Sequence, residues 1–448
     1  MTEPLQAAGQ IHAGSVLGLR PFAVRRESGK LPLLSCPETR NVVEVTEQAI
    51  HVAVALRNGR TPQLISEQSR GTLASADVVA FAEQLHERGF IARIDGREIG
   101  STPHGFFTRL IDSIEPARLA FLTSWPFLGC VAAAPLAALL LVLAGDAIWP
   151  SRDALWVLAR PGLNMIVVVL GLLGMSLLHE LAHMAVARRY GISSGMSVSH
   201  RFYVIVLQTD VTGAWLLPRT PRIAIFLAGM IFNVWFASTL VILATLPGLA
   251  LGLQAALAFI VVLNVLPLIF QFFVFAQTDL YHVVLALSGE RNLRRDSMAY
   301  FAMRTRAVWR RIRNQCANCG ATRAPTSCLG CGAETKLQDE GLRLGARRAS
   351  MMIGWAIFQV FGTAFGFAMM VFILLPFVLQ NVVLALTLGM QFWHDGGALD
   401  GVEATLVLAA VGLQGYFLFR ALGRGLFAVV RIPFQLSRRT TESGKVNQ

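Results

Sequence analysis

The sequence predicts an α-helical polytopic membrane protein of about six transmembrane helices, preceded by a small soluble α+β domain. Two observations carry this expectation. The chain has 448 residues, 54% of them apolar and only 15% charged, and several runs beyond residue 115 reach the roughly 20 apolar residues that a helix needs to cross a bilayer. The first 115 residues differ: charges are spread evenly through them and no apolar run is long enough to span. Residues 1–30 lack an apolar core segment, so no cleavable signal peptide is expected.

The expected spans lie near 121–144, 163–187, 223–246, 253–275, 351–375 and 403–423. Basic residues set their orientation. Segment 188–222 has five Arg against one acid, and 276–350 has twelve Arg and one Lys against six acids. The tail carries Arg424, Arg431, Arg438, Arg439 and Lys445 against Glu442, whereas 247–252 and 381–402 contain no Lys or Arg. The positive-inside rule then places both termini in the cytoplasm, in a membrane expected to be the bacterial inner membrane. Residues 1–120 balance 13 basic against 13 acidic groups, so the net charge of +12 resides mainly in juxtamembrane segments. It points to anionic lipid, and no nucleic-acid partner is expected.

Within the second span, seventeen uncharged residues from Gly162 to Leu178 lead into His179, Glu180 and His183, in the stretch LLGMSLLHELAHMAVARRYG. Ionisable groups are costly in a bilayer, and those found there usually serve a function. On a helix, residues four apart share a face, so His179 and His183 can hold one zinc ion. Glu180 lies one position round, placed to take a proton from water rather than to bind metal. A catalytic zinc usually has three protein ligands and one open position. By topology the third can come from Asp210, Asp279, His200 or His282. Asp279 follows the fourth span in NVLPLIFQFFVFAQTDLYH, where Pro267 can loosen the helix. Asp210, in the strand-like VIVLQTDVTGAWLLP, could instead order its loop.

The HELAH of one helix, an Asn-x-x-Pro segment and an aspartate at the end of a later helix together resemble the site-2 protease family of intramembrane zinc metalloproteases. The similarity is to its peptide zinc metalloprotease branch, associated with peptide maturation, and it covers roughly residues 163–285. FLAGMIFN (226–233) is similar to the small-residue helix of that family. The resemblance implies that His179, His183 and Asp279 bind a catalytic zinc, that Glu180 is the general base and that Asn264 helps orient substrate.

Two further modules are expected. Residues 316–331, CANCGATRAPTSCLGC, place Cys316, Cys319, Cys328 and Cys331 as C-x2-C-x8-C-x2-C. Two such knuckles present four thiolates tetrahedrally, the closed geometry of a structural zinc, giving a zinc ribbon in a cytoplasmic loop. It is read as a fold staple, or more sharply as a contact for substrate or a partner. In residues 1–115, Thr46 caps a helix through Arg57, Thr61-Pro62 opens a second, and Ser75 caps a third that ends at Gly89. FIARIDGREI then alternates about Asp95-Gly96 as a hairpin. Three helices and a hairpin make a winged helix, similar to the elements that bind leader peptides of ribosomally made peptides.

The domain expectation is thus 1–115 winged helix, 116–285 metalloprotease core, 286–350 basic loop with the ribbon, 351–423 C-terminal transmembrane helices and 424–448 basic tail. Smaller features are a basic face running from Arg291 to Arg313 against anionic headgroups, close helix contact at Gly354, Gly362 and Gly366, and His394 and Asp395 in a non-cytoplasmic loop. The expected function is hydrolysis of a peptide bond in a membrane-associated protein or ribosomally made precursor peptide near the cytoplasmic face. Its partners would be that substrate, membrane lipids, and peptide-modification or export proteins. The alternative is a catalytically silent membrane receptor or scaffold in a peptide export, immunity or signalling complex.

Overall fold

A computed structural model describes residues 11–69, 71–100, 105–145, 147, 152–201, 204–312, 346–395, 401–409, 411–413, 415–416 and 419–420. The protein is mostly helical, with a small sheet-containing domain at the N-terminus. It divides into two compact units: Met1–Val157, Val168–His200 and Ile205–Val265 in the first, and Leu158–Val167, Arg201–Val204 and Leu266–Gln448 in the second.

The first unit begins with strands β1 (Leu17–Leu19), β2 (Ala23–Arg25), β3 (Leu33–Cys36) and β4 (Asn41–Glu44). Helices α1 (Glu47–Arg57), α2 (Pro62–Gln68) and α3 (Ser75–Glu87) and the hairpin β5 (Ile91–Ile94) and β6 (Arg97–Glu98) follow. Thr46 and Thr61 cap α1 and α2, accepting from the backbone N–H of Ala49 and Leu64. Ser75 is not a cap: it is the first residue of α3, and Ala74 holds the cap position. Alanine has no side-chain acceptor, and the Asp77 carboxylate instead accepts the Ala74 N–H at 3.3 Å. Asp95 and Gly96 both have positive φ (48° and 79°), the backbone that a two-residue hairpin turn demands.

Strands β1, β5 and β6 form one antiparallel sheet and β2, β3 and β4 a second. The second sheet is absent from the sequence reading. All four residues of β3, Leu33–Cys36, are buried, so the strand shows no alternation, and β2 has only three residues. Leu17, Leu34, Leu56, Leu85, Phe90 and Ile91 fill the core between sheets and helices.

After α4 (Phe106–Asp112) come α5 (Trp125–Ala144), α6 (Pro161–Arg189), the hairpin β7 (Gly195–Arg201) and β8 (Val204–Asp210), α7 (Arg219–Ala244) and α8 (Leu251–Gln271). The second unit continues with α9 (Asp279–Ser288), α10 (Leu293–Ile312) and α11 (Ala346–Asp395). Five helices among the described residues are long and apolar enough to cross a membrane: α5, α6, α7, α8 and Arg348–Gly366 of α11. The sixth expected span, 403–423, lies partly outside the described residues, and its described part, Gly401–Leu413, counts as a shorter apolar helix. Helix α11 has 50 residues, about 75 Å at 1.5 Å per residue, and continues through Pro376. His394 and Asp395 therefore end a helix rather than sit in a loop. At Gly362 the chain does approach closely: a Cβ there would lie 2.7 Å from the Phe275 ring. Among the described residues, nothing lies within 4 Å of where a Cβ on Gly354 would stand. The ribbon cysteines Cys316, Cys319, Cys328 and Cys331 and the tail 424–448 lie outside the described residues.

Candidate metal centre

Helix α6 presents His179 and His183 as buried side chains one turn apart, 5% and 3% exposed. Their Nε2 atoms lie 3.2 Å from each other. Two nitrogens bound to one tetrahedral zinc at about 2.0–2.1 Å stand roughly 3.3 Å apart, so the observed spacing suits a shared ion. His183 Nδ1 donates to the Ile225 carbonyl at 2.7 Å. A carbonyl can only accept, so the proton sits on Nδ1 and Nε2 is the acceptor atom of the ring.

Room at the paired nitrogens comes from Gly229 of α7. A Cβ on that residue would stand 2.4 Å from His179 Nε2 and 2.5 Å from His183 Nε2, a distance that side chains do not tolerate. FLAGMIFN is thus more than a small-residue helix: its glycine leaves open the space that the two rings face. Any larger residue would fill it.

Glu180 is held from the β7–β8 hairpin. The Thr209 N–H donates to Glu180 Oε2 at 2.7 Å, and Thr209 Oγ1 donates to the Glu180 backbone carbonyl at 3.2 Å. The strand-like segment therefore fixes the rotamer of the acid between the histidines. Thr209 carried no signal in the sequence, because its role is a backbone donor that any non-proline residue supplies.

The remaining candidates separate by environment. Asp210 Oδ1 accepts from Thr212 N at 3.0 Å and from Thr212 Oγ1 at 2.5 Å, closing the start of the 3-10 turn Thr212–Leu216. That is the loop-ordering role. Asp279 is the first residue of α9, and its N–H donates to Gln271 Oε1 at 3.0 Å. His179 and His183 belong to the first unit and Asp279 to the second. His282 lies within α9, its ring edge-on to Tyr281, and the His200 side chain lies outside the described residues. Asn264 is fully buried on α8, its Nδ2 at 3.8 Å from Met175 Sδ, one turn before His179 on α6.

The N-terminal domain seats on the segments that flank this site. Glu27 accepts from Arg222 Nη2 at 3.1 Å, and Arg222, 5% exposed, opens α7 two turns before Gly229. Arg222 also lies over the Trp215 ring at 4.6 Å. Arg25 donates to the Leu216 carbonyl, and Arg40 to the Ser194 carbonyl at 3.5 Å. Beyond that domain, Arg188 Nε donates to the Ile114 carbonyl and Ser193 Oγ to Asp112. Burial by itself raises the Glu27 pKa, but hydrogen bonds from Lys30 and Arg222 outweigh it and hold the carboxyl down at about 2.

Comparison with known protein families, curated proteins and solved structures gives no match.

Proposed function

We propose that this protein is a membrane zinc metalloendopeptidase, similar to site-2 proteases, that hydrolyses a peptide bond near the cytoplasmic face. The observation that carries the reading is the buried pair His179 and His183, whose Nε2 atoms lie 3.2 Å apart on one helix that also carries Glu180, with Asp279 as the proposed third ligand. Two nitrogens and one oxygen suit zinc and leave a position open. Zinc there would lower the pKa of water and polarise the scissile carbonyl.

The chain's own residues supply the rest. His183 keeps its proton on Nδ1 through Ile225, so Nε2 stays a ligand atom. Glu180, fixed by Thr209, takes the proton from the attacking water and passes it to the leaving amine as the C–N bond breaks. Asn264, buried one turn of α6 away from His179, serves to orient substrate. A substrate with extended backbone would pair with the β7–β8 hairpin, whose end already holds Glu180.

The N-terminal domain, read as a winged helix that takes a leader peptide, would choose and present the substrate. Its contacts at Arg222, Ser194 and Leu216 favour that role. A zinc ribbon at Cys316, Cys319, Cys328 and Cys331 would hold the second, structural zinc. The proposed setting is the bacterial inner membrane with both termini cytoplasmic, as the basic loops imply.

Glu180→Gln tests the mechanism. With a single-span reporter protein carrying an extended juxtamembrane segment, the variant should keep its zinc and lose about 10²–10⁴-fold in cleavage rate. A variant that cleaves like the native protein would establish the silent receptor or scaffold instead.

A further inference from the structure

Two asparagines are buried on α7 and α8 with amide atoms that have no hydrogen-bond partner among the described residues. Asn233 on α7 is 1% exposed, and neither Oδ1 nor Nδ2 has a hydrogen-bond partner. Asn264 on α8 is fully buried, and its Oδ1 has none. Buried polar side chains almost always find partners, because leaving one unpaired forfeits its hydration for nothing. Asn233 stands out because both ends of its amide are open.

Its position on the helix shows where it faces. Asn233 is four residues after Gly229, so the two share one face of α7. Helical side chains lean toward the N-terminus and cover the turn before their own Cα. The Asn233 side chain therefore leans over Gly229, the residue whose missing Cβ leaves room at His179 Nε2 and His183 Nε2. A carboxamide offers donor and acceptor together, the complement of the C=O and N–H of one peptide group.

We infer that Asn233 binds the backbone of the substrate, its amide hydrogen-bonding a peptide group that flanks the scissile bond. This inference rests on the metallopeptidase reading and adds a residue that recognises substrate by main chain rather than by side chain. An α-helical segment, whose N–H and C=O groups bond to each other, could not satisfy Asn233.

Two hydroxamates test it on the zinc-loaded full chain in detergent: acetohydroxamate, which has no flanking peptide group, and N-acetyl-Leu-Ala hydroxamate, which has two. Asn233→Leu should weaken binding of the peptidyl probe by about tenfold or more, as expected for a lost buried hydrogen bond. It should leave acetohydroxamate affinity and zinc content unchanged. Because it removes an unpaired buried amide, it should also leave the melting temperature of the metal-free protein equal or higher. Asn233→Asp, which keeps the size but loses the donor, should weaken the peptidyl probe in the same way. Native-like peptidyl binding in both variants, equal loss of both probes, or a lowered melting temperature in Asn233→Leu would each overturn the inference. If the native protein holds zinc and binds acetohydroxamate but shows no added affinity for the peptidyl probe, the inference fails and the metal site stands. A native protein that binds neither zinc nor acetohydroxamate removes both.

Discussion

At the Gly162 end of α6, buried polar groups close the backbone at and just before the helix start: Glu403 Oε2 accepts the Gly162 N–H at 3.1 Å, and Asn164 Oδ1 accepts the Leu158 N–H at 3.0 Å. At the Arg189 end, 17 to 21 residues on from Gly162, the buried polar groups are the facing Nε2 atoms of His179 and His183. Both ends lie in a helix apolar enough to span, and both carry costly groups there. What differs is where the polar atoms point. At Glu403 one carboxylate oxygen answers an orphan N–H of the helix N-terminus. Two imidazoles whose Nε2 atoms face each other at 3.2 Å suit a cation between them.

Substitutions at the two ends sharpen that contrast. At the histidine end, Gly229→Ala brings a Cβ to within 2.5 Å of both ring nitrogens. Zinc affinity should fall by about 10–100-fold, the range seen when a metal site's supporting shell is disturbed. In an ordinary helix the same change adds up to about 1 kcal/mol of helix propensity. Competition titration with a chelator, set beside metal-free melting, should therefore move affinity down while stability holds or rises. Loss of stability together with affinity would make Gly229 a packing residue.

At the Gly162 end, Glu403→Leu should cost about 1 kcal/mol by removing the cap acceptor, with zinc affinity unchanged. Glu403→Gln, which keeps a carbonyl oxygen for the Gly162 N–H, should be close to neutral. A change in zinc affinity in either variant would dissolve the distinction between the two ends. An effect of similar size is expected at Glu27. Its pKa is depressed, so its contribution is fully present above its ordinary value of 4.5 and is lost as pH falls toward about 2. After allowing for solvent screening this amounts to about 1 kcal/mol. Between those limits, proteolysis at the Glu27–Arg222 contact should accelerate in the native protein, and Glu27→Gln should show that acceleration at neutral pH.

The histidine end was legible because metal ligation needs a residue type at a fixed helical spacing, and HELAH supplies both within five positions. Asp279 was nameable as one candidate among four, since a third ligand from a distant helix has no spacing rule. Gly229 and Thr209 were not legible as parts of the site. One acts by lacking a side chain and the other through a backbone N–H, and neither leaves a chemical signature in the sequence. Asn233 shows the same limit, because an amide reveals an unmet hydrogen bond only once its surroundings are known. In the fold, Thr46 and Thr61 marked α1 and α2 correctly through their caps, and Asp95-Gly96 marked the hairpin. The sheet of β2, β3 and β4 escaped because its strands have three or four residues and its central one is buried on both faces.

The zinc content of the protein tests the central claim most directly. In a background with Cys316 and Cys319 changed to Ser, which removes the ribbon's metal, the purified full chain should hold one zinc ion. Adding His183→Ala should reduce that to none while the helical content stays unchanged. Retention of one zinc ion after His183→Ala would contradict the account.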